Sequence, residues 1–103
     1  MFGMKAKEKE KEKGTSPKDI MAGEIERLTP GQSLCYKLPP IYGDDLVIVK
    51  PNPNYPNKGK KYLVCSESVV DGKPSGKVVT GWDSDKASYI AGWVVERLGT
   101  PFA

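Results

Sequence analysis

Two cysteines, Cys35 and Cys65, two dense carboxylate groups, Asp44-Asp45 and Asp83-x-Asp85, and a proline loop carrying lysines and tyrosines are the residues of this chain that could do chemistry. Histidine is absent from all 103 residues. That removes every nucleophilic system built on a Ser-His or Cys-His pair, because the imidazole base that would take the nucleophile's proton is missing. It also disfavours zinc, whose structural sites typically need four nitrogen or sulfur ligands, so two thiols would have to recruit carboxylates or a second subunit. Each cysteine instead lies in an apolar run, SLCYKL and KKYLVCSES, where a thiol is expected to serve as a small buried hydrophobe.

The carboxylates have structural roles open to them. Asp83 and Asp85 suit the start of a helix, and Asp44-Asp45 follow Gly43 in a turn. A magnesium or calcium site would need oxygens from several loops to converge on either pair. No phosphate-loop or dinucleotide-binding glycine pattern is present. The expectation is therefore a protein with no enzymatic activity and no cofactor.

The loop from Pro51 to Lys61, PNPNYPNKGKK, is the best binding candidate. Its closely spaced prolines favour stiff, extended polyproline II backbone. Tyr55, Lys58, Lys60 and Lys61, with Lys50 and Tyr62 beside them, combine cations with rings that can stack, the pairing that suits a phosphate backbone and its bases. Pro53, Pro56 and Lys58 also fit a PxxPxK peptide-ligand pattern. An inert rigid connection is the plain structural alternative.

These residues must be placed by the elements around them. Charge divides the chain: Lys5 to Lys18 holds six lysines against three glutamates, whereas ten acidic and ten basic residues cancel from Asp19 onward. The strict Lys/Glu alternation puts like charges at i,i+4 and offers no apolar face, so residues 1–16 are expected to be a disordered leader and 17–103 one small domain. Interleaved glutamates blunt the leader's field as a nucleic-acid arm.

Within the domain, Ser16-Pro17-Lys18-Asp19 has helix-start chemistry, although Gly23 interrupts the apolar positions after it and leaves an irregular segment equally open. Alternating or continuous apolar runs predict strands near 33–38, 46–50, 60–70 and 77–82, with the turn formers Asp71 to Gly76 closing an antiparallel hairpin. Ala87, Ile90, Ala91, Val94, Val95 and Leu98 then recur with helical period, Asp83 stands at the N-cap position, and Gly99 and Pro101 end the run. The fold class is α+β: a small, mainly antiparallel sheet with a C-terminal helix over 83–98 on one face.

Tyr89 and Trp93 fall on the flank of that helix and, four apart, are expected to stack on each other. They need cover from the 17–28 segment, from the proline loop, or from a partner surface. The leading functional expectation is a protein-binding module, or a weak homodimer, using Tyr89, Trp93 and the proline loop. The alternative is a nucleic-acid-binding domain using residues 50–62. No apolar stretch approaches the ~20 residues of a membrane span, and the N-terminus lacks a secretory segment and a myristoylation pattern, so the expected location is the cytoplasm.

Overall fold

The computed structural model describes residues 16–102. The expected disordered leader lies outside them, apart from Ser16. The chain runs α1 (Pro17–Glu26), β1 (Leu34–Lys37), a 3-10 turn (Pro40–Tyr42), β2 (Leu46–Pro51), β3 (Tyr62–Val70), β4 (Lys73–Ser84), α2 (Ala87–Glu96) and β5 (Thr100–Pro101). The strands form one antiparallel sheet in the order β4-β3-β2-β1-β5. The α+β architecture and the helix on one face of the sheet are as the sequence implied.

The open question at the N-terminus resolves as a helix. Ser16 caps α1, its Oγ accepting from the Asp19 N–H at 3.1 Å, and Pro17 needs no partner at the first position. Gly23 does not break it, and Met21 and Ile25 turn inward.

β3 shows how the sheet is dressed. Tyr62, Val64 and Ser66 are buried, while Leu63, Cys65 and Glu67 between them are only half-buried. Cross-strand pairing carries the first set across to Val47 and Val49, then to Leu34 and Tyr36. Both helices cover this face: Ile25, Ile90 and Val94, each fully buried, close on Val47, Val49 and Val64 in a single core. Burial of this kind supplies about 1.5–3 kcal/mol per large apolar side chain.

Two elements differ in extent from the sequence reading. The β3–β4 turn is only Asp71-Gly72, both at positive φ (53° and 74°), the two-residue geometry whose twist matches that of the strands. Lys73 to Gly76 therefore belong to β4, where Pro74 is tolerated because β4 is an edge strand. The C-terminal helix starts at Ala87 rather than 83. Asp83 and Ser84 complete β4, and Lys86 occupies the cap position with no side-chain cap bond. At the other end Leu98 leaves the apolar stripe: it takes the left-handed φ of 58° expected of Gly99, and 66% of it is exposed.

Candidate functional site

The acids that the sequence assigned to helix capping do something else. Asp83 Oδ2 accepts the Lys60 N–H and Asp85 Oδ1 accepts the Lys61 N–H, each at 2.9 Å. They tie the proline loop to the end of β4. Asn52 holds the loop from inside: its Nδ2 donates to the carbonyls of Lys58 and Lys60 at 2.9 and 2.8 Å, and its Oδ1 accepts the Asn54 N–H at 2.9 Å. A buried Asn with this many bonds replaces the ladder that a strand would use. The loop is consequently a compact turn with a cis Tyr55–Pro56 bond and a Lys58 N–H to Asn54 O bond of 2.9 Å, not extended polyproline II.

That geometry splits the loop candidates. Tyr55, exposed, faces a cleft of about 610 Å³ walled by Pro30, Pro51 and Pro53 with Lys50 at its edge. Lys58, Lys60 and Lys61 are exposed, and Lys61 Nζ stands 5.6 Å from the centre of the Tyr62 ring. Lys60 alone turns to the aromatic flank, lining a cleft of about 420 Å³ with Trp82, Lys86 and Tyr89.

Trp82 is the residue that sequence reasoning missed. Tyr89 and Trp93 do not stack on each other directly. Both meet Trp82, Tyr89 edge-on at 5.8 Å between centroids and Trp93 tilted at 5.5 Å, within the ~4.5–7 Å range of favourable ring pairs. The 17–28 segment and the proline loop border the rings through Lys18 and Lys60, while the ring-to-ring contacts come from Trp82. On Trp93 the outer face is capped by the Arg97 guanidinium, 4.1 Å from the ring centre, with Nη1 donating to the Trp93 carbonyl at 3.1 Å. Trp93 is thus half-buried within its own chain and packed on the core. Tyr89 is 61% exposed, and a second concavity of about 250 Å³, lined by Lys18, Trp93 and Arg97, opens on its other side. The only local sign of Trp82's role was its position at the end of a strand run, which does not say which sheet face it takes.

The remaining chemical candidates are dispersed. Cys35 and Cys65 lie on strands separated by β2, so two strand spacings, roughly 9–10 Å, stand between them, beyond the ~7 Å a disulfide tolerates. They are half-exposed on the face without helices, not buried as expected. Burial first, and the Glu67 carboxylate second, push the Cys35 thiol above its ordinary value. Asp44 pairs with Lys37 beside the turn. Among the described residues no three His, Cys, Asp or Glu side chains converge on one point, and no helix is long and apolar enough to cross a membrane. A scan of protein-family models and searches of curated proteins and of solved structures found no match to the chain.

Proposed function

We propose that this protein is a non-enzymatic interaction module that binds a protein partner on the Trp82–Tyr89–Trp93 ledge. The observation that carries the reading is the state of Tyr89: its ring is oriented by Trp82 yet is 61% exposed. A ring already fixed in place loses little conformational freedom on binding, and its uncovered face is apolar area available to a partner. Concavities on both sides of the ring offer room for neighbouring side chains of that partner. Cytoplasmic residence belongs to the same proposal, since two thiols held apart on one sheet face suit a compartment that keeps them reduced.

A second reading is favoured by Lys60 and Lys86, which share the cleft with Trp82 and Tyr89. Cations beside a stacking ring suit single-stranded nucleic acid. Asp83 and Asp85 in the same cleft oppose it by offsetting the two lysine charges.

Tyr89→Ala separates these readings. It should leave thermal stability almost unchanged, because an exposed side chain is being truncated. Proteins captured from a cell extract by the parent chain and lost with the variant support the protein-binding reading. Tyr89-dependent binding of oligo-dT that falls steeply with salt favours nucleic acid instead. Identical behaviour of parent and variant in both assays refutes the ledge as the functional surface.

A further inference from the structure

The face of the sheet without helices has an order of its own. Register places Ile48 between Cys35 and Cys65, and beyond them Phe102 on one side and Gly81 on the other. Phe102 joins this row by donating its N–H to the Cys35 carbonyl at 3.0 Å. Cys35, Ile48, Cys65 and Phe102 are all half-exposed. One row along, Lys37 on β1 and Glu67 on β3 flank Leu46, which is already fully buried in its own chain. The uncovered part of this face is therefore the Cys35–Ile48–Cys65 row and its ends.

Gly81 lies beside an irregularity of β4, where Ser66 pairs with Thr80 and Glu67 with Val78 so that Val79 is skipped. It sits in the interior of β4 without a positive φ, and a Cβ there would meet only ordinary contacts, Val64 O at 3.8 Å and Cys65 Sγ at 3.9 Å. Glycine in a strand often marks a bulge or the close approach of another group, and here it also leaves an uncovered hollow on the face without helices.

We infer that this open face is a self-association surface whose occupant is a second copy of the chain, related by a two-fold axis running along the central strand β2. The sheet is symmetrical about β2 in strand order, so that axis lays β1 on the partner's β3 and β5 on the partner's β4. Three complementarities then arise together. Phe102 stands over the hollow at Gly81 of the other copy, Lys37 stands over Glu67, and Ile48 meets its own equivalent at the centre. Both charges keep partners in their own chain as well, Lys37 with Asp44 and Glu67 with the Gly76 N–H at 2.8 Å, so the pairing across the axis orients the copies rather than replacing internal bonds. Of the residues on the axis Lys50 is the one charged group that would face its own equivalent, at an exposed end where its long stem reaches water.

Sedimentation equilibrium of the full chain tests this. The parent should dimerise. Gly81→Val should keep or raise the melting temperature, since a β-branched residue fits the strand, while weakening the dimer at least about tenfold by filling the hollow. Lys37→Glu and Glu67→Lys should each dissociate the dimer as separate proteins, and an equimolar mixture of the two should reassociate, because both contacts between positions 37 and 67 then again join opposite charges. A mixture of the C35S and C65S chains should also cross-link through a bis-maleimide about 8–10 Å long, the spacing of stacked sheets, whereas no cross-link within one chain is possible. A parent that sediments as a monomer overturns the inference. So does a mixture of charge-reversed chains that stays monomeric, or a dimer lost with Tyr89→Ala and untouched by Gly81→Val. The last outcome would move self-association to the aromatic ledge.

Discussion

The end of α2 rests on a close approach that can be tested quantitatively. Gly99 donates its N–H to the Val94 carbonyl at 3.0 Å, and a Cβ at position 99 would stand 2.5 Å from Val94 Cγ1. Carbon atoms rest at about 3.5–4.0 Å, so Gly99→Ala forces the chain end outward at a cost of about 1–3 kcal/mol. Backbone conformation adds nothing to that cost, because the left-handed residue at this helix end is Leu98. Val94 is fully buried. Val94→Ala removes two methyl groups, each about 0.8 kcal/mol, and leaves part of a cavity, for a loss of about 1–3 kcal/mol. In the double variant the methyl that the new Cβ would strike is gone, and that Cβ fills part of the hollow. The double should therefore cost about 1.5 kcal/mol less than the sum of the singles. Urea unfolding of the parent, both singles and the double, with unchanged m-values, measures the coupling. Additivity within about 0.5 kcal/mol would show that the C-terminal segment does not lie on Val94, and the packing of the helix end would have to be abandoned.

Tyr36 supplies a gain-of-stability prediction: it is 2% exposed and its hydroxyl has no hydrogen-bond partner among the described residues. Tyr36→Phe should raise stability by about 1–2 kcal/mol, seen as a higher melting temperature, and a lower one would mean that the hydroxyl is paired. The same group gives a pH signature, since burial first and Glu24 second push it from 10.0 up to about 12. An acid held protonated in the fold stabilises below its unfolded value, and that stability is lost as pH rises from about 10 towards 12. The parent should accordingly lose stability over that interval faster than Tyr36→Phe, and parallel melting curves would contradict the burial. Asn52→Ala should cost about 2–3 kcal/mol and speed amide exchange across 53–61, because the loop carbonyls lose their clip; unchanged exchange would show that Asp83 and Asp85 hold the loop alone. Trp93→Ala should lower stability by about 3 kcal/mol or more, unlike Tyr89→Ala, and equal melting of the two would place Trp93 outside the core.

What could be read without the fold was whatever depends on spacing along one element. The period-2 runs in 34–37 and 62–70 and the helical recurrence of Ala87, Ile90, Ala91 and Val94 each describe a face, and a face needs only the geometry of its own backbone to be recognised. Those faces, with the turn formers between them, were enough to imply an antiparallel sheet under a helix. Distant partners decided the rest. Asp83 and Asp85 have the chemistry of a helix cap, but the Lys60 and Lys61 amides compete for the same carboxylates and win, which moves the helix start to Ala87. The prolines of residues 51–56 favour extension locally, yet one buried side chain, Asn52, offers several hydrogen bonds that only a folded-back loop can use. Tyr89 and Trp93 were legible as residues needing cover, whereas the identity of that cover, Trp82, depended on how β4 meets α2 in space. That Cys35, Ile48 and Cys65 share one sheet face, and that both helices take the other, followed only from the cross-strand register and the packing. Periodicity is a property of one segment and survives translation into sequence; the selection of one partner among several equally suited ones is made by tertiary proximity, which no single segment encodes.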